Sequence, residues 1–369
     1  MQDSRNILLG LVRSALWGVP AEGLPDQIDW NKVFKLAKQQ TLVGLLADAV
    51  QMLPDGKKPD ANSLTQLRAY ILKNLQAHML ITKRLAATTE LLRSEGIQPV
   101  LFKGHGLAMN YPDPMSRQCG DIDLYVGKSM YEKAVQVCLR NFGEGEHDSE
   151  SLKHYHFDNQ GVSVELHRIA ENIPGICANR RYQAWTVDNL ECSDLRQVDI
   201  EGVSVNLPPY GFDAIYVMNH AWHHFVTGGI GLRQICDWTM YIHRFHDCLD
   251  PRKLESDLKA FGLLKVWHMF AWIAVNRLGL PAEECPLYAG RYSDDAEKML
   301  AVVWTDGNFG RYSERRSKRP EGYSSGKLHS LIVTTKRYFR IIPVYPSHIL
   351  KAWVLYFATG IYHYFKGLF

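Results

Sequence analysis

Gly120-Asp121-Ile122-Asp123-Leu124-Tyr125-Val126 is the stretch on which the reading of this chain turns. Polar and apolar residues alternate along it, the period of a β-strand, in which residues i and i+2 point to the same side. Asp121 and Asp123 therefore share one face, while Ile122 and Leu124 turn into a core. Two carboxylates this close repel unless a cation lies between them. Mg²⁺ prefers hard oxygen ligands together with substrate phosphates, so an Asp-x-Asp strand is a natural half-site for it.

Working outward, Tyr155–Asp158 and Val162–His167 read as two strands around the turn Asp158-Asn159-Gln160-Gly161. In the second, Val162, Val164 and Leu166 face one way, and Ser163, Glu165 and His167 the other. A carboxylate on so apolar a strand needs a reason. If this strand pairs beside the Asp-x-Asp strand, Glu165 becomes a third ligand or a general base. His167 then orients Glu165, contacts substrate, or makes a structural hydrogen bond. Upstream, Ile97–Phe102 reads as a short buried strand closed by Lys103-Gly104-His105-Gly106, with a short helix from Leu107 to Asn110. A turn of this kind can hold phosphate oxygens on backbone N–H groups. Lys103 or Arg117 would neutralise charge on a transferred group; a solvent-exposed lysine and a plain ion pair for Arg117 are the alternatives.

The flanks are helical. Apolar residues fall at helix spacing from Leu8 to Leu16 and, on a second segment, from Val33 to Ala47; a longer helix covers about Ser63 to Glu95. Met130–Phe142 is an amphipathic helix, and further helices are expected near Phe212–Phe225, Arg233–Phe245, Pro251–Phe261 and Lys265–Leu278. Residues 311–327 are polar and mostly positive, and read as a loop or linker. An aromatic, apolar helix, Ser347–Phe369, closes the chain. The expected organisation is a helical region over 1–95, an α/β core over 96–207, a helical substrate-side domain over 208–310, and the basic loop with the C-terminal helix over 311–369. The fold class is α+β.

The bulk properties are those of a folded protein with more than one lobe: 369 residues, 46% hydrophobic and 22% charged, with a net charge of +3. Seven scattered cysteines without a CxxC pair point to a reducing compartment. Arginines interrupt the apolar N-terminus, and no run approaches the roughly 20 apolar residues of a membrane span, so the expectation is a cytoplasmic protein. No dense basic stripe with interleaved aromatics accompanies the acidic strand, which argues against a dedicated nucleic-acid polymerase. In His220-Ala221-Trp222-His223-His224, residues 220 and 224 share a helix face. Zinc is one reading; without an HExxH pattern or a third ligand, a helix lining a substrate cleft or a polar helix interface is the other.

The run LFKGHGLAMNYPDPMSRQCGDIDLYV, followed by VSVELHR and later by HAWHHF and GLRQICDW, resembles the uncharacterised bacterial nucleotidyltransferases of the DNA polymerase β-like superfamily. The resemblance covers about residues 95 to 245. It implies a polymerase β-like mixed sheet with Asp121, Asp123 and Glu165 as the metal triad for two Mg²⁺ ions. It implies an NTP co-substrate, with transfer of a nucleotidyl group to an acceptor hydroxyl, phosphate or amine. It also places the His220 and His224 helix, with Asp237, along the cleft. One position departs from the pattern: the turn is usually Gly-Ser or Gly-Gly, and here His105 follows Gly104. A degenerate, binding-only member of the family is the alternative that this departure motivates. A membrane-surface accessory protein in envelope or polysaccharide assembly is another, motivated by the basic loop and by Lys336, Arg337 and Arg340 ahead of the aromatic tail.

Overall fold

The computed structural model describes residues 3–147, 153–310 and 323–366. Four helices come first: α1 (Ser4–Trp17), α2 (Trp30–Gln40), α3 (Val43–Gln51) and the 34-residue α4 (Ala61–Ser94). The segment expected as one helix around Val33–Ala47 is broken in two, because Thr41 adopts a left-handed conformation (φ 59°) that caps α2. The start of α4 is fixed by Asp60, whose carboxylate accepts from the Ser63 amide at 2.9 Å.

The middle of the chain runs β1 (Val100–Phe102), α5 (Gly104–Ala108), β2 (Asp121–Tyr125), α6 (Gly127–Phe142), β3 (Glu146–His147), β4 (His154–Asn159), β5 (Val162–His167), α7 (Ile176–Leu190), β6 (Arg196–Ile200) and β7 (Val203–Leu207). The short helix expected at Leu107–Asn110 starts earlier, at Gly104. Helix α7, strand β3 and the β6–β7 hairpin add to the elements read from the sequence. Glu201 (φ 54°) and Gly202 (φ 79°) form that hairpin's turn, the two positive φ values of a type I′ connection. The strands make one mixed sheet in the order β3-β4-β5-β2-β1-β7-β6. Pairs β2–β5 and β1–β7 are parallel, and the other neighbours are antiparallel.

The remaining helices are α8 (Tyr210–Thr227), α9 (Leu232–Phe245), α10 (Pro251–Phe261), α11 (Leu264–Ile273), continued by a π-helical turn at Ala274–Leu278, α12 (Ser293–Asp306), α13 (Tyr323–Ile341) and α14 (Pro346–Lys366). Helix α12 also goes beyond the sequence-based expectation. The expected basic loop falls mostly on residues 311–322, outside the described residues, and residues from 323 onward already belong to α13. The α+β class is as expected: a mixed sheet set between helical flanks.

Period-2 patterning divides the sheet into two faces. Ile122, Leu124, Val164, Leu166 and Val205 pack with residues of α4 and α6 in one core cluster. Val100, Phe102 and Tyr125 point the other way, into the larger helical core. On that side Phe102 packs against Tyr216 of α8 in a tilted arrangement, ring centroids 4.4 Å apart. Full burial of each such ring stabilises by roughly 1.5–3 kcal/mol, and the contact fixes α8 over the face that carries the acidic residues.

Candidate active site

Strand pairing decides the first question. In the parallel β2–β5 ladder Asp123 lies opposite Glu165, Asp121 opposite Ser163, and Tyr125 opposite His167. Asp121, Asp123, Glu165 and His167 consequently share the face under α8. Possible ligand atoms of Asp123, Glu165 and His167 all lie within 4.8 Å of one another, the one such group of three among the described residues. The expected triad named Asp121 in place of His167. Asp121 lies outside that tight group but lines the same cleft as Asp123.

His167 is buried, and its Nε2 sits 2.9 Å from Asp123 Oδ1 and 3.4 Å from Glu165 Oε2. The Nζ of Lys103 approaches Asp123 Oδ1 to 3.1 Å from the other side. Burial alone would raise the Asp123 carboxyl, but Lys103 and His167 outweigh it and hold the group well below the usual carboxylate range. Asp121 moves the opposite way, raised first by the charge on Asp123 and then by burial. Neighbouring carboxylates with oppositely displaced acidities mark a site arranged for charge. His167 is pulled down by burial, yet its bonds to Asp123 and Glu165 prevail and keep it above its ordinary value.

Lys103 reaches this position from an unusual backbone. Its φ of 49° and ψ of −140° lie in a region that costs a residue with a Cβ about 1–3 kcal/mol. Gly104 follows at φ 44°, where a Cβ would stand 3.2 Å from the Asp121 carbonyl oxygen. The turn is thus pressed against the acidic strand. The Lys103 ammonium also donates to His220 Nε2 at 3.0 Å, and His220 Nδ1 is 3.1 Å from Glu171 Oε2. An imidazole that accepts on Nε2 must carry its proton on Nδ1, so His220 is a neutral bridge between cation and anion. Burial, then the charge of Lys103, pushes it down to about 3.

Glu171 is only 1% exposed and, besides this hydrogen bond, forms an ion pair with Lys153 at 2.6 Å. Burial opposes its charge, but His223, Lys153 and His220 together hold it well below the usual range. With both nitrogens of His220 engaged, the zinc reading of the histidine triplet loses its central ligand. His224 stands against His220 with ring centroids 4.4 Å apart, and both line the cleft with Arg233 and Phe309.

Arg117, read as a phosphate ligand or an ion-pair partner, is placed as the latter. Its Nε and Nη2 donate to the two carboxylate oxygens of Asp237 at 2.7 and 2.8 Å. The Tyr111 hydroxyl also donates to Asp237, at 2.7 Å. This buried pair ties the loop before β2 to α9 at the cleft edge. His105 points elsewhere: it is buried, 6.0 Å from the His78 ring of α4, and burial followed by the charges of His78 and Arg117 lowers it to about 4. The departure at this position therefore does not intrude on the acidic face.

Reading the sequence missed Glu171, Lys153 and Arg233. Arg233 sits in the quoted GLRQICDW block and was within reach; Glu171 and Lys153 lie outside any periodic element, and no local signal marks them. It also missed the larger cavity, about 220 Å³, beside the cleft. Arg196, Tyr210, Asp213 and Tyr241 help to line it, and Lys103 and Leu107 separate it from the smaller acidic cleft.

The model of a family described as uncharacterised nucleotidyltransferases matches residues 26–279. An antigenic nucleotidyltransferase-like protein from Paracoccidioides brasiliensis is similar in structure over 48% of this chain and 85% of its own, at 16% identity. The TM-score of that match is 0.32. No curated protein matches the chain. The family match spans well over half of the chain, and the protein belongs to the uncharacterised nucleotidyltransferases.

Proposed function

We propose that the protein is a Mg²⁺-dependent nucleotidyltransferase, moving a nucleoside monophosphate from an NTP to an acceptor hydroxyl, phosphate or amine. One observation carries the reading: the parallel register that sets Glu165 against Asp123, with Asp121 on the same face. The donor set fits hard divalent cations, because carboxylate oxygens converge on one face, where Lys103 and His167 pair with Asp123. Asp121, Asp123 and Glu165 would hold two such ions, with His167 orienting the last two carboxylates. Bound there, the cations supply charge neutralisation for the triphosphate and the departing pyrophosphate.

The chain's own residues do the rest. Lys103, released from Asp123, is within reach of the same face to meet a phosphate oxygen, and neutral His220 receives its ammonium without adding charge. Arg233 adds a second cation at the cleft edge. Helix α8, held on Phe102, covers the acidic face and limits water around it.

The test is calorimetric titration with a non-hydrolysable NTP, with and without Mg²⁺, on the wild type and on Asp121→Asn/Asp123→Asn. The expected result is binding that needs both the metal and the two aspartates, with circular dichroism unchanged in the variant. Equal binding by the variant sinks the assignment. Metal-dependent binding without pyrophosphate release across a broad acceptor panel would instead establish the binding-only alternative.

A further inference from the structure

Charge is unevenly distributed along this chain. Residues 311–369 hold eleven Lys and Arg against two acids, Glu314 and Glu321, while the preceding residues hold 31 basic and 37 acidic side chains. A cationic end on an otherwise anionic protein points to a polyanionic partner. Residues 323–369 contain no acid at all.

Helices α13 and α14 form a hairpin with an inner and an outer side. Inside, Tyr338, Ile341, Val344 and Ile349 are buried in the helical core. Arg337 pairs with Asp306 and donates to the carbonyls of Phe225 and Val226, and Arg340 pairs with Asp306 as well. These two arginines, which in sequence looked available to a membrane, are bound inward.

The outer side is apolar. Eight of the 17 exposed large hydrophobic side chains among the described residues lie on these two helices, so the exposure is concentrated rather than scattered. Leu328, Ile332 and Phe339 follow one stripe of α13, and Leu350, Val354 and Phe357 one stripe of α14. Trp353 joins the stripes, with ring centroids 5.7 Å from Phe339 and 5.8 Å from Phe357. Exposed Lys336 and Lys351 flank them by helical spacing. No helix among the described residues is long and apolar enough to cross a membrane.

We infer that this hairpin face docks the protein on an anionic lipid surface, with the apolar stripes in the headgroup boundary and the flanking lysines on lipid phosphates. Apolar and aromatic residues on one side with lysines at its border are the pattern of helices that lie in the interface plane. A second copy of the chain fits less well, since pairing this face with itself would bring the like charges of Lys336 and Lys351 together.

The inference is independent of the nucleotidyltransferase reading and is tested apart from it. Full-length protein is floated with phosphatidylcholine vesicles and with vesicles in which about a third is phosphatidylglycerol. The expected result is at least about tenfold stronger partition to the anionic vesicles, lost at high salt. Ile332→Glu/Phe339→Glu/Val354→Glu should lower flotation more than about tenfold while retaining the wild-type circular dichroism and melting curve. Lys336→Gln/Lys351→Gln should weaken it less and reduce its salt dependence. The inference is overturned if wild type does not float with anionic vesicles, floats equally with both, or is matched by the triple variant. A dimer in light scattering that the triple variant dissociates, without flotation, would reassign the face to self-association.

Discussion

The Nζ of Lys103 lies 3.0 Å from Nε2 of His220 and, at the same time, 3.1 Å from Asp123. One ammonium thus links the acidic strand β2 to helix α8, and the link continues through His220 to Glu171 and Lys153. Charges alternate along this chain of contacts, with a neutral imidazole in the middle. Such a network is stable only when each member is satisfied.

Glu171 is the member whose loss should be felt most. Glu171→Ala removes the partner of Lys153 and His220 inside the protein, and a destabilisation of about 3–5 kcal/mol is expected in urea unfolding. The native Glu171 is held below its unfolded acidity, so its contribution is full above the unfolded value of about 4.3 and is lost as pH falls further. A change of less than about 1 kcal/mol at pH 7 would contradict the buried network.

Lys103 allows a backbone test. At φ 49° and ψ −140° glycine is unstrained, while alanine keeps the Cβ that resists this conformation. Lys103→Gly and Lys103→Ala both remove the ammonium, so their difference isolates the backbone. Lys103→Gly should be the more stable of the two by about 1–2 kcal/mol in chemical denaturation. Equal stabilities would place the turn in another conformation.

The pair between Arg117 and Asp237 joins the β2 loop to α9, with both side chains nearly sealed from solvent. Asp237→Ala leaves a buried guanidinium and the Tyr111 hydroxyl without their acceptor. Thermal and urea unfolding should show a loss of about 3–5 kcal/mol. Arg117→Met/Asp237→Leu should recover much of it, because a neutral apolar pair carries no unpaired charge. Failure of the double variant to improve on the single one would mean that the pair has a role other than stability.

His105 sets a pH dependence. The folded ring is held at about 4, below the roughly 6.5 of an unfolded histidine. Between these values the unfolded state takes up the proton first, so the contribution of His105 to stability falls as pH drops from about 6.5 to 4 and is constant above that window. Replacing it, as His105→Asn, should flatten the slope there by up to about 1.4 kcal/mol per pH unit. An unchanged slope across that window would show that His105 titrates normally.

What the sequence determined by itself was local. Period-2 alternation placed Asp121 and Asp123 on one face and Glu165 on the polar face of its own strand. Helix α10 was readable end to end, because Asp250 caps it, Pro251 begins it and Gly262 closes it in a left-handed conformation. The β6–β7 hairpin carries the same alternation, but nothing in it says which edge of a sheet it will join. Tertiary structure decided the pairings. It chose the parallel partner that brings Glu165 to Asp123, and it exchanged Asp121 for His167 in the tightest cluster. It also committed Arg117 to Asp237, turned His105 away from the cleft, and brought Glu171 from an irregular loop beneath His220. Periodicity is set by the geometry of each residue and its neighbours, and can be read along the chain. The partner of a buried charge is set by which distant element arrives beside it, and that is fixed only when the sheet and helices pack.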